Sequence, residues 1–224
     1  AGCAVIFPGN YTIAGEMAHW NTTASMVFNG LSSVIQADEE LRNGKLIVKT
    51  GAGLTILESL GAVTLGSIAL ESSTQLTINH ACNISGDVSL GSSAILSLSK
   101  QLNIAKGWTN NGGQLNATAG ASVFFTGYGY TIGGSSTTTF PHLHIGASGA
   151  SSRYSLTINT NLICDTLTLE SNSNSGSSTL TIGTSNPTVQ VLGTLNMQQL
   201  SKPTSATFRV NGGQLLVGGD LNFI

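Results

Sequence analysis

Eight short segments of this chain share one pattern, two apolar residues flanking a polar one. They are Leu54-Thr55-Ile56, Val63-Thr64-Leu65, Leu76-Thr77-Ile78, Val88-Ser89-Leu90, Leu156-Thr157-Ile158, Leu167-Thr168-Leu169, Leu180-Thr181-Ile182 and Val189-Gln190-Val191. Alternation of period two puts the apolar pair on one face of an extended strand and the polar residue on the other, so each segment needs cover on one side only. Between them lie corners such as Gly51-Ala52-Gly53, Gly91-Ser92-Ser93, Asn110-Asn111-Gly112-Gly113, Gly133-Gly134-Ser135-Ser136 and the stretch from Asn172 to Ser178, where Gly and Asn accept positive φ. Strands of about three to six residues joined by tight corners follow. Only Ala37 to Arg42, with Asp38-Glu39-Glu40, has helical composition. It is too short to be stable as a helix and is expected to form a turn or one helical loop at a corner.

The chain also repeats itself. Asn111-Gly112-Gly113-Gln114-Leu115 recurs letter for letter as Asn211-Gly212-Gly213-Gln214-Leu215. Val27-Phe28-Asn29-Gly30 answers Phe124-Phe125-Thr126-Gly127, and Lys45-Leu46-Ile47-Val48 answers His142-Leu143-His144-Ile145. The spacing from Phe28 to Leu46 is kept from Phe125 to Leu143. Ser73 to Ile78 pairs with Ser177 to Ile182. The offsets describe a single solenoid over 1–224 made of a duplicated unit of roughly a hundred residues, approximately 10–110 and 111–210, with a third copy beginning at 211. Such a unit divides into four or five rungs of about 20–25 residues, the length at which a coil of short strands stacks on itself. The expected fold is therefore all-β, a parallel β-helix or β-solenoid. The alternative is two antiparallel β-sandwich domains with a boundary near residue 105.

One stretch carries a family likeness. Gly107-Trp108-Thr109-Asn110-Asn111-Gly112-Gly113, then Val123-Phe124-Phe125-Thr126-Gly127, then Gly134-Ser135-Ser136-Thr137-Thr138-Thr139-Phe140-Pro141-His142-Leu143-His144-Ile145 resembles a repeat of large prokaryotic surface proteins. In those proteins the repeats look like the right-handed parallel β-helices of filamentous-haemagglutinin-type and autotransporter-type adhesins. The resemblance implies export and a surface role, and it carries over no catalytic residue.

Composition limits the chemistry. Eight basic and ten acidic residues in 224, beside 54 Ser and Thr, mean that hydroxyls and amides, not ions, wet this surface. The eight cations are scattered, which leaves no stripe for a phosphate backbone, and no run of 18 apolar residues is present to span a membrane. Cys3, Cys82 and Cys164 show no metal-ligand spacing and read as small buried thiols. In a regular solenoid they lie several rungs apart, too far for an intrachain disulfide.

A polysaccharide lyase or hydrolase on this fold needs carboxylates converging on one face. Glu58, Glu71, Asp87, Asp165, Glu170 and Asp220 are spread along the chain and are expected at solvated corners or strand ends. His142 and His144 lie two apart on one strand face, which reads as an exposed polar face because no third metal ligand is near. Thr137-Thr138-Thr139 is an isolated run, not an ice-binding ladder. Four sequons, at Asn10, Asn21, Asn83 and Asn116, permit N-glycosylation of an exported chain.

The terminal segments, with Val5, Ile6 and Phe7 at one end and Leu221, Phe223 and Ile224 at the other, are apolar and lack a polar or helical cap. The expectation is a non-enzymatic extracellular or cell-surface structural protein that self-associates head to tail into a filament or fibre, without cofactor or metal, and with covalent glycans. Two other readings are a carbohydrate-binding adhesin module of a larger surface protein, stacking sugars on Trp20, Tyr128 and Tyr130, and a β-helical polysaccharide lyase or hydrolase.

Overall fold

A computed structural model describes residues 4–15, 24–37, 41–56, 63–146, 153–171, 177–199 and 205–224. Among these residues there is no helix, and every strand pairing with a defined register is parallel. The chain is a β-solenoid, as expected, and the antiparallel sandwich alternative is overturned, since a sandwich of hairpins needs antiparallel ladders. The chain divides into two compact units, Ala1–Leu102 with Thr109–Ala121, and Asn103–Trp108 with Ser122–Ile224.

In the first unit the strands fall on three faces. One stacks Ala4–Phe7, Ser25–Phe28, the second halves of Leu41–Val48 and Val63–Leu70, and Val88–Leu90. A second is a six-stranded sheet of Thr12–Gly15, Ser33–Ala37, Gly53–Ile56, Gln75–Ile78, Ile95–Leu98 and Gln114–Ala117. The third stacks the first halves of the two long strands with Cys82–Ile84. Phe28, Val48, Leu70 and Leu90 are successive register partners on the first face. Ile35, Ile56, Ile78 and Leu98 form a like column on the second, and all of these side chains are buried. The near-constant step down each column is one turn of the coil. Each such side chain removed from water contributes roughly 1.5–3 kcal/mol, repeated at every turn.

The long strands turn a corner without ending. Along Val63–Leu70 the buried positions are Val63, Leu65, Ile68 and Leu70, so two consecutive outward residues, Gly66 and Ser67, shift the alternation by one. A β-carbon on Gly66 would lie 2.5 Å from the carbonyl oxygen of Gly44 in the turn before, and one on Gly86 2.2 Å from that of Gly66. A column of glycines thus lets the backbones stack at this corner. Ala37 closes one strand and Leu41 and Arg42 open the next, and 38–40, the centre of the segment expected to form a turn or one helical loop, lie outside the described residues.

The second unit coils on longer turns, so its columns step further along the chain. Ile132, Ile158, Ile182 and Val210 are successive partners in one column, and Leu143, Leu167, Leu195 and Leu221 in another. Strands Thr138–Ile145 and Leu162–Ser171 shift phase at Pro141-His142 and Asp165-Thr166, as Gly66-Ser67 does. Its core gathers aromatics from the stretch that carries the family likeness. Trp108 packs edge-on against Phe140 at 5.1 Å and Phe125 against Phe140 at 6.1 Å, while the Trp108 Nε1–H donates to Thr138 Oγ1 at 3.2 Å inside the core. That bond satisfies both buried polar atoms.

Candidate functional site

The concentration of ionisable chemistry in the second unit lies where Thr138–Ile145 runs beside Leu162–Ser171. Their register sets His144 opposite Thr168, with Glu170 two residues further along the same strand. His144 Nε2 comes within 2.9 Å of Glu170 Oε2, an ion-pair distance outside hydrogen-bond geometry, and the two side chains are only 17% and 8% exposed. The imidazole stacks on Phe124, with ring centroids 4.4 Å apart and planes 17° from parallel. Glu170 Oε1 has no hydrogen-bond partner among the described residues. The Glu170 carbonyl accepts a bond from the buried Ser178 hydroxyl. Gly146, at φ +119°, leaves no room for a side chain, since its β-carbon would sit 2.5 Å from that same carbonyl.

Burial holds His144 below the ordinary histidine range, against the upward pull of the Glu170 charge. Tyr154, whose strand partner is Ser178, is raised by burial and by the same carboxylate. A carboxylate beside an imidazole can orient it for proton transfer. Here it also brackets two neighbouring turns, and its low exposure and the Phe124 stack fit the second role better.

These positions correct two sequence expectations. Glu170 is buried at a strand end and is not a solvated corner, because it points to the same side as His144 and is covered with it. His144 is largely covered, and His142 is half-buried with Nδ1 2.8 Å from Thr166 Oγ1 on the next turn, so the two do not form an exposed polar face. The pairing of His144 with Glu170 was legible only to a reader who knew the length of this turn to the residue.

The other carboxylates are dispersed. Glu71 sits at a corner, bridged to Lys49, with Thr50 donating to it from both backbone and hydroxyl at 3.3 Å. The Lys49 hydrogen bond holds the Glu71 carboxyl below its usual range. Asp87, Asp165 and Asp220 are exposed, and Glu58 lies outside the described residues. Tyr128 is exposed and Tyr130 half-buried, with Trp20 outside the described residues. Asn10, Asn83 and Asn116 are not buried, and Asn10 Oδ1 accepts the backbone N–H of Ser32 at 2.9 Å. Asn21 lies outside the described residues. Cys82 and Cys164 are free and buried, and burial pushes both thiols up to about 12; Cys3 lies outside the described residues.

The outermost turns differ from those inside. In the last turn Val210, Leu221 and Phe223 carry on the inward columns of Ile182, Leu195 and Met197. They are 53%, 50% and 72% exposed, whereas Ile182 and Leu195 are buried. Ile224 is exposed beside them. At the other end Val5 and Phe7 are half-buried on the inward side, Phe7 lying flat on Phe28 at 4.7 Å, and Ile6 points outward and is exposed. No protein family, curated protein or solved structure matches this chain.

Proposed function

We propose that this chain is an extracellular structural subunit that stacks end to end on copies of itself. The observation that carries the reading is the row Val210, Leu221 and Phe223, which continues inward columns and needs one more parallel turn to cover it as the rungs before it are covered. A parallel strand edge bearing such a row is a template for one more parallel turn, and covering it returns the transfer free energy that interior turns already gain. The first turn of a second copy offers Val5 and Phe7 on its inward side, and repetition of a heterologous contact propagates a fibre. The hydroxyl-rich, weakly charged surface and the likeness to surface-protein repeats support placing it outside the cell.

Light scattering after size-exclusion chromatography, with negative-stain microscopy, tests this. Fibres or concentration-dependent oligomers are expected, and Phe223→Asp with Leu221→Asp should return them to monomers. Monodisperse monomers of the unsubstituted chain at every concentration would end the proposal.

A further inference from the structure

We propose that the outer face of the six-stranded sheet in the first unit binds a neutral polysaccharide laid across its strands. Strands Gln75–Ile78, Ile95–Leu98 and Gln114–Ala117 stand in parallel register, which aligns Thr77, Ser97 and Asn116 in one outward column. Just past the end of each strand, where the bonds from Ser99 N to the Ile78 carbonyl and from Thr118 N to the Leu98 carbonyl continue the ladder, Asn79, Ser99 and Thr118 form a second column. Together the six residues line a groove of about 290 Å³. Neighbouring rungs lie about 4.8 Å apart, so the groove presents a pair of uncharged polar groups at each step along the stacking direction.

The chemistry of this lining selects its ligand. The residues lining the groove include no Asp, Glu, Lys, Arg or His, so neither a metal ion nor an anionic polymer meets a counter-charge there. Amide and hydroxyl groups both donate and accept, the bonding capacity of sugar hydroxyls. Thr77, Asn79, Ser97 and Asn116 make no side-chain hydrogen bond among the described residues, and the Thr118 hydroxyl makes a long one, 3.4 Å, to the Ser99 carbonyl. A polyol displacing water from these groups, half-buried at Thr77, Asn79, Ser97 and Ser99 and exposed at Asn116 and Thr118, keeps the hydrogen bonds that the water made.

The length of the surface favours a polymer over a single sugar. A second polar groove, of about 120 Å³, lies on the same face with Ser32, Ser33, Thr55 and Gln75, and shares Thr77 with the first. Thr55 and Thr77 are register partners, so the two grooves continue one column over successive turns. Asn116 belongs to a sequon, and a glycan attached there would fill the groove. The proposal therefore requires Asn116 to be unmodified in the native protein.

Affinity electrophoresis of the full chain tests this in gels containing hydroxyethyl cellulose, galactomannan or soluble starch, with polygalacturonate as the charged comparison. At least one neutral polymer should retard the protein and polygalacturonate should not. Asn79→Ala combined with Asn116→Ala should weaken retardation by about tenfold or more, as loss of several ligand hydrogen bonds implies. Ser97→Trp, which fills the groove from an outward position, should abolish it, with circular dichroism confirming that both variants keep the fold. No retardation by any neutral polymer, retardation by the polyanion alone, equal retardation of the variants, or a glycan found on native Asn116 by peptide mass spectrometry would each overturn the proposal.

Discussion

Gly51 and Gly66 both occupy corners of the first unit, and they are glycine for different reasons. Gly51 has φ +75° with open space around its α-carbon, so only backbone conformation argues for glycine. Ser73 and Ser93 sit at φ 56° and 57° in later corners of the same unit, and their turns show that a small side chain is tolerated there at some cost. Gly51→Ala should therefore cost about 1 kcal/mol. Gly66 has no positive φ, but its β-carbon would strike the Gly44 carbonyl, and the backbone of the neighbouring turn cannot swing away as a side chain could. Gly66→Ala should cost about 3 kcal/mol or more, on the scale of an overpacked core. Denaturant midpoints of the two variants check the order, and equal losses would defeat it. The glycines also show where letters stop determining structure. Asn111 to Leu115 and Asn211 to Leu215 are identical, yet the left-handed residue is Gly112 in one and Gly213 in the other. In the first, the Asn110 carboxamide accepts the N–H groups of Gly112 and Gly113 at 3.1 and 2.8 Å; in the second, Gly213 donates to Asn186 of the preceding turn at 3.3 Å. Which glycine turns follows from residues outside the repeated string, Asn110 just before it in the first copy and Asn186 of the preceding rung in the second.

At the scale of the strand, alternation told which side chains face inward, and the apolar pairs at 54–56, 76–78, 156–158 and 180–182 are all buried. It did not tell where a strand bends in mid-course, because a corner such as Pro141-His142 shifts the phase without breaking the extended backbone. Nor did an approximate rung length fix the register to the residue, which is what brings His144 beside Glu170. That pair gives a sharp expectation. His144→Phe keeps the ring stack on Phe124 but takes away the imidazole nitrogen that lies 2.9 Å from the buried Glu170 carboxylate, which should cost about 1–3 kcal/mol, the penalty for a buried polar group that loses its polar neighbour. Glu170→Gln removes the buried charge and should cost less. Chemical denaturation of both variants decides, and a milder loss for His144→Phe would refute the bracket role. The pH dependence follows with its sign. The folded chain holds His144 below the ordinary histidine value, so the unfolded chain takes up the proton first as pH falls. The stability that His144 contributes is complete above about pH 6.5 and is lost as pH drops from there through its folded value. His144→Phe should flatten that part of the curve of stability against pH, and an unchanged slope would show that other groups cause it.

Over the whole molecule, the eighteen charged side chains in 224 residues decide which solvent variables matter. Stability that rests on stacked apolar columns and on backbone ladders between rungs does not depend on ionic screening, because neither involves net charge. The ion pair between Lys49 and Glu71 lies at a corner with both side chains over a third exposed, and such pairs contribute about 0–1 kcal/mol. The pair between His144 and Glu170 is shielded from solvent, where salt screens little. Raising NaCl from about 0.01 M to about 1 M shortens the screening length from about 30 Å to about 3 Å. Over that range the unfolding midpoint should move by no more than about 4 °C, the shift that about 1 kcal/mol produces in a chain of this size. Urea should be the effective perturbant, since it solvates the apolar and peptide groups that the rungs bury. Differential scanning calorimetry across the salt series measures this directly. A midpoint that falls steeply with salt would mean that charge pairs, and not the columns of Leu, Ile and Val, hold the rungs together.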